Sequence, residues 1–251
     1  MRMTGNTILI TGGTSGLGKG LAEAFHRAGN KVIITGRRED RLKNICAANP
    51  GMAFYAMDVA NAESARSVAK KAIEEHPALN CVFNNAGVQN DHEFAPAKPL
   101  DEAAVAEEIN TNLLALIRLC AEFVPHLAKQ QNAVLLNVSS GLAFVPLARF
   151  PVYCATKAAV HSFTVSLRHQ LKSSGIKVIE LIPPYVATEL GGVEKAPLAG
   201  APQPMPLDIF VSETMKELAT DADEVAIGPA KGLLAAGSSE AARGAFAGMN
   251  R

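Results

Sequence analysis

Tyr153 and Lys157 stand four residues apart in a stretch with helical periodicity, so their side chains project from one face. An ammonium beside a phenol stabilises the phenolate and draws the tyrosine pKa down from its reference of about 10. Such a tyrosine can give a proton to a carbonyl oxygen or take one from an alcohol. Ser140 lies just after an apolar run upstream, where its hydroxyl can hold the same oxygen. Taken alone, Tyr-x-x-x-Lys is also what an ordinary surface helix shows by chance.

A second constellation lies near the start of the chain, Thr11-Gly12-Gly13-Thr14-Ser15-Gly16-Leu17-Gly18. An apolar, β-branched run precedes it and a helical pattern follows. A strand, a glycine-rich turn and a helix N-terminus make an anion site, because the first helical turn has unpaired N–H groups at the positive dipole end. Gly12 lets the chain turn, Gly16 clears the approach of a pyrophosphate, and Gly18 lets the helix pack on the sheet. At the end of the second strand come Gly36, Arg37 and Arg38. An acidic residue there would hold a ribose 2′-hydroxyl, whereas arginine accommodates a 2′-phosphate. The expected cofactor is therefore NADP(H). NAD(H) is the alternative, with Glu39 or Asp40 on the ribose and the arginines merely solvated. Asp58 and Val59 end the third strand, where a carboxylate can accept from an adenine amino group. Asn85, Ala86 and Gly87 end the fourth, and their small size lets a ribose lie against the backbone.

These residues need a scaffold that brings strand ends together. Apolar runs at 7–10, 31–35, 52–57, 80–84, 133–138 and 177–182 read as strands, with helices at about 20–25, 39–48, 61–76, 101–129 (bent near Pro125) and 152–172. Strands that are apolar on both faces and alternate with helices imply a parallel sheet covered on both sides. The fold expected is α/β, a three-layer, doubly wound, Rossmann-type parallel sheet of six or seven strands, with ligands beyond the strands' carboxyl ends. Residues 1–251 read as one domain. A Pro- and Gly-rich loop at about 184–206 is the expected substrate lid, and the tail from 222 onward reads as helix and loop.

Composition narrows the function classes. The 251 residues are 48% hydrophobic and 19% charged, which suits a well-buried core. Lys+Arg and Asp+Glu are both 24, so nothing in the charge points to nucleic acid or an acidic membrane. Cys46, Cys81, Cys120 and Cys154 form no Cys-x-x-Cys pair and fall in elements read as buried, which implies reduced thiols in the cytoplasm. The histidines show no metal-ligand spacing, so no metal is expected. The first strand begins too soon for a signal peptide, and no apolar run is long enough to span a bilayer.

The glycine stretch, Asn84-Asn-Ala-Gly87, Ser140 and Tyr153-Cys-Ala-Thr-Lys157 occur in the order and spacing of the short-chain dehydrogenase/reductase family, which the chain resembles from about residue 6 to 190. The resemblance implies a nicotinamide cofactor, Tyr153 as acid/base, Ser140 holding the substrate oxygen, and Lys157 binding the nicotinamide ribose while lowering the Tyr153 pKa. It places the family's helix asparagine at Asn112, with Asn110 as a nearby rival. Pro183, Val186 and Thr188 would face the carboxamide and pyrophosphate. Residues 182–188 and 245–250 resemble the branch of D-alanine teichoic-acid operon reductase-like proteins. Two departures stand out. Pro184 replaces the usual glycine after Pro183, and the family's last strand is not evident in the tail. A homodimer through the helices at 101–129 and 152–172 is therefore expected, with a tetramer as the alternative. The substrate expected is a small carbonyl or alcohol, with Leu142, Phe144, Val145, Phe150, Tyr185 and Leu190 as its apolar lining. A catalytically silent dinucleotide-binding sensor or scaffold is the competing reading, disfavoured by the intact Asn112, Ser140, Tyr153 and Lys157. A nucleotide-sugar epimerase or dehydratase is disfavoured by the GxxxGxG spacing and the short chain.

Overall fold

A computed structural model describes residues 1–94, 99–190 and 203–237. The first half alternates β1 (Thr7–Thr11), α1 (Gly16–Arg27), β2 (Lys31–Gly36), α2 (Glu39–Ala48), β3 (Ala53–Ala56), α3 (Ala62–Glu75) and β4 (Cys81–Asn84). The second half runs α4 (Glu102–Ile109), α5 (Ala115–Leu127), β5 (Val134–Val138), α6 (Pro151–Gln170), β6 (Lys177–Ile182), α7 (Leu207–Leu218), β7 (Glu224–Ala226) and α8 (Ala230–Gly237). The strands make one parallel sheet of seven in the order β3-β2-β1-β4-β5-β6-β7. The order reverses direction between β1 and β4, so their carboxyl ends open a crevice between them.

Strand alternation sends side chains to two cores. Ile8, Ile10, Ile34, Phe83 and Leu136 pack with Phe25 of α1, Leu42 of α2 and Phe210 of α7 on one face. Leu9, Ile33, Val82, Leu135 and Val178 pack with Ala69 of α3, Phe123 of α5 and Val160 of α6 on the other. Phe25 and Phe83 meet edge to face at 5.4 Å. Asn84 and Asn137 are register partners on β4 and β5. The Asn84 Nδ2 donates to Asn137 Oδ1 at 2.9 Å, and Asn137 Nδ2 donates to Thr164 Oγ1 of α6 at 3.0 Å. This buried amide chain anchors α6 to the sheet directly beneath the strand ends.

Three features depart from the sequence reading. The tail holds a seventh strand, β7, paired in parallel with β6 through Glu180↔Glu224, Leu181↔Val225 and Ile182↔Ala226. The helix expected over 101–129 is interrupted at Asn110–Leu114 by a turn of π-helix, well before Pro125, which lies inside the continuous α5. Cys46 is only half-buried, whereas the other three thiols are buried. The middle of the expected lid and the tail beyond Gly237 lie outside the described residues. Among the described residues no helix is long and apolar enough to cross a membrane.

Candidate active site

The carboxyl ends of β1, β2, β4, β5 and β6 surround a cavity of about 1240 Å³. The glycine turn forms its floor. Gly12 has φ +68° and Gly16 has φ +51°, backbone conformations that an L side chain rarely adopts. A Cβ on Gly12 would lie 2.9 Å from Ala86 Cα, so the β1 and β4 ends can meet only with glycine there. Gly18 serves a different purpose from the one expected. A Cβ on it would fall 2.4 Å from both Asn85 Nδ2 and Gly12 O, so it makes room for the turn itself and for Asn85 rather than for helix–sheet packing. Asn85 braces the turn: its Nδ2 donates to Thr11 O at 2.8 Å, while Thr11 Oγ1 accepts from the backbone N–H groups of Asn85 and Ala86.

Thr14, Ser15, Gly16 and Leu17 line the cavity, as do Arg37, Arg38, Asp58, Val59, Ala86, Gly87, Pro183, Val186 and Thr188. Arg38 reaches across to the turn, donating to Thr14 Oγ1 at 3.0 Å and Ser15 Oγ at 3.1 Å. Glu39 is instead paired with Lys43 along α2. The glycines leave an unfilled cradle at a helix N-terminus with an arginine fork at its rim, which fits the phosphates of a dinucleotide.

At the other end of the cavity, Ser140 follows β5, and Tyr153 and Lys157 descend from α6. Pro151 stands at the first position of α6, where its missing N–H costs nothing. Ser140 Oγ accepts from Leu142 N at 3.1 Å and caps the short 3₁₀ turn Gly141–Ala143, leaving its proton available. The Tyr153 and Lys157 side chains are buried, with Lys157 Nζ 5.7 Å from the tyrosine ring centre. Lys157 Nζ donates to Val138 O at 2.9 Å. Burial pushes Lys157 down to about 8, with Glu108 and Glu180 pulling the other way. Tyr153 is shifted opposite to expectation. Burial pushes its phenol well above the usual range, and the hydrogen bond with Ser140 only partly opposes this. The phenol therefore carries its proton, as a donor to a carbonyl must.

Asn112 stands behind the cavity wall, at the π turn. Its Oδ1 accepts from Val88 N at 2.8 Å, and its Nδ2 donates to Val88 O at 2.9 Å and Thr156 Oγ1 at 3.2 Å. It is buried, whereas its rival Asn110 is half-exposed. A Cβ on Gly87 would lie 3.2 Å from Asn112 Oδ1 and 3.7 Å from Lys157 Nζ, so these three residues converge. π turns concentrate at functional sites because they disturb the regular carbonyl ladder.

Of the expected substrate lining, Leu142, Val145, Phe150, Tyr185 and Leu190 face the cavity. Phe144 does not: its ring packs on His161 at 4.6 Å and on Ala226 and Ala230 behind the wall. Gln89, Asn90 and Arg149 line the cavity without having been anticipated. Arg149 forms a two-pronged pair with Asp91, 2.8 Å from Nε and 2.6 Å from Nη2, both side chains half-exposed. Two carboxylate–histidine pairs were equally unforeseen, each at 2.8 Å: His92 with Glu108, both buried, and a half-buried His161 with the buried Glu180. His161, Glu180 and Glu224 also bring three potential metal donors together. The Glu180 oxygens are already taken by Ser139 and His161, and Arg168 lies 3.9 Å from Glu224, a setting that disfavours a cation.

The family model for short chain dehydrogenase matches residues 6–197. A protein described as an uncharacterized oxidoreductase, DltE, of Bacillus subtilis (strain 168) is 47% identical over 191 residues, covering 76% of this chain and 75% of that protein. A short chain dehydrogenase from Burkholderia cenocepacia J2315, solved with NADP, superposes with a TM-score of 0.80 at 26% identity, covering 98% of each chain. The fold also matches that of a short chain dehydrogenase/reductase from Burkholderia phymatum solved with NAD, with a TM-score of 0.79 at 22% identity, covering 92% of this chain and 91% of that one.

Proposed function

The chain belongs to the short-chain dehydrogenase family, and we propose that, with a nicotinamide dinucleotide supplying or accepting the hydride, it interconverts a small carbonyl and its alcohol at Ser140, Tyr153 and Lys157. The observation that carries this reading is the buried Tyr153, with Lys157 Nζ 5.7 Å from its ring centre and Ser140 beside it in the wall of the cavity that the glycine turn also lines. In carbonyl reduction Ser140 would hold the substrate oxygen while Tyr153 gives it a proton; in alcohol oxidation the proton moves the other way. Lys157 would hold a ribose and stabilise the phenolate left behind, and Asn112 keeps the loop beside it in place. NADP(H) is the favoured dinucleotide, since Arg37 and Arg38 line the cavity and Glu39 is engaged elsewhere.

A homodimer is proposed for the assembly, with a cytoplasmic location. Phe94, Ile109 and Leu114 are exposed on α4 and its flanks. Phe94 and Ile109, together with Val105, Leu113, Val152 and Ala155, surround an apolar groove, the kind of surface a second copy would cover.

Tyr153→Phe tests the chemistry. It should lower carbonyl reduction by about 10²-fold or more, the usual size of a lost acid/base group, with NADPH affinity unchanged. Turnover on a panel of aldehydes and ketones, followed by nicotinamide absorbance, decides it. Activity retained in the variant would rule the assignment out; a wild type that binds NADPH but turns over nothing in the panel would favour a silent dinucleotide sensor.

A further inference from the structure

Glu180 is wholly buried on β6, yet both its oxygens are engaged. Ser139 Oγ donates to Oε1 at 2.5 Å, and His161 Nδ1 meets Oε2 at 2.8 Å. These two partners belong to the elements that carry the chemistry. Ser139 sits between Val138, whose carbonyl holds Lys157 Nζ, and Ser140. His161 lies one helical turn beyond Lys157 on α6. One carboxylate thus ties the tip of β5 to the helix bearing Tyr153 and Lys157. A carboxylate loses more hydration on burial than an amide does, so a bare strand-to-helix tie is more readily made by an amide. The charge itself therefore calls for a use.

Lys157 supplies one. Its ammonium is buried against Val138 O and the Tyr153 ring of its own helix, and the carboxylates of Glu108 from α4 and Glu180 from β6 act on it electrostatically. We infer that Glu180 is a positioning residue for the reaction: its carboxylate, held by Ser139 and His161, fixes the β5 tip against α6 and sets its negative charge, partly offset by His161, against the segment that holds the Lys157 ammonium. This rests on the assignment of Ser140 and Lys157 made above. His161 is faced by Glu180, by Glu224 of β7 and by Arg168 of its own helix. Burial works against the imidazolium, but the hydrogen bond and charge of Glu180 outweigh it and raise the His161 pKa. Within the pair, a protonated His161 offsets part of the Glu180 charge that Lys157 feels.

Two substitutions should therefore displace Lys157 in opposite directions. In Glu180→Gln the ammonium loses an anion, so the alkaline limb of the carbonyl-reduction profile should move to lower pH by about one unit. Its kcat should fall about tenfold while the KM values for NADPH and carbonyl stay within about twofold, since positioning rather than binding is lost. In His161→Gln the Glu180 charge is less compensated, and the limb should move to higher pH. Glu180→Asp keeps the charge on a shorter stem and should restore the limb without restoring kcat. NADPH affinity, read from the fluorescence of the reduced nicotinamide, reports that each variant is folded. Limbs that coincide with wild type, or that move the same way in both variants, overturn the inference. If Glu180→Gln does not fold, His161→Gln decides alone: a limb unmoved or lowered overturns it. Failure of the underlying assignment is seen separately, as activity surviving in Tyr153→Phe.

Discussion

Burial decides how the individual side chains behave. An ammonium beside a phenol draws its pKa down in water, but in this wall burial outweighs the Ser140 hydrogen bond at Tyr153 and the Glu108 and Glu180 charges at Lys157, raising the first and lowering the second. The sign of the lysine shift sets a pH dependence. Lys157, lowered to about 8, keeps its proton below that value and loses it as pH rises through it. Carbonyl reduction should hold level on the acid side and fall above it, measured as NADPH consumption from roughly pH 6 to 10. Arg37 and Arg38 carry a second prediction. Replacing both with alanine should raise the KM for NADPH about 10- to 100-fold and that for NADH less than about threefold, the size expected for charged hydrogen bonds to phosphate. Equal effects on both cofactors would remove the phosphate clamp. The residue types and spacings were legible in the chain, because chemistry needs particular groups at particular intervals. Their electrostatic setting was not, because it depends on residues as distant as Glu108 and Glu180.

Among the elements, the glycine turn and the β4 end behave as one part. Asn85 fills the space that Gly18 leaves, so the first helix and the fourth strand share a joint. Gly18→Ala would place a methyl group 2.4 Å from Asn85 Nδ2 and from Gly12 O. Overpacking of this kind costs about 1–3 kcal/mol, so thermal denaturation should show a lower Tm and NADPH should bind at least about tenfold more weakly. A variant with wild-type Tm and affinity would mean that the joint yields easily. Most of the long, strongly periodic elements could be read from the chain within a residue or two at their ends; α1, read at about 20–25, starts four residues earlier at Gly16, inside the glycine turn. β7 could not, because Glu224–Ala226 is too short for alternation to show and pairs only at the sheet edge. The π turn was hidden inside a helical pattern, since Asn110, Thr111 and Asn112 break no periodicity. Phe144 was misplaced because the 3₁₀ turn before it rotates its side chain away from the cavity.

For the whole molecule, the doubly wound order concentrates polar residues at the carboxyl ends and leaves the outer face of α4 and α6 apolar. Ile109 is 41% exposed on that face, so Ile109→Glu should leave folding intact and convert a dimer to monomers in sedimentation velocity. A wild-type chain that sediments as a monomer would overturn the dimer itself. The pair between Arg149 and Asp91 has a consequence for traffic into the cavity. It joins the loop after β4 to the segment leading into α6, and Arg149 is part of the cavity wall. An ion pair this exposed is opposed by solvation of both groups and holds the joined arrangement only weakly over the parted one. It is a weak fastening, opened and closed at the rate of side-chain motion, and mobile ions loosen it further. Rising ionic strength should therefore quicken the arrival and departure of an uncharged carbonyl or alcohol while leaving the buried proton-transfer groups untouched.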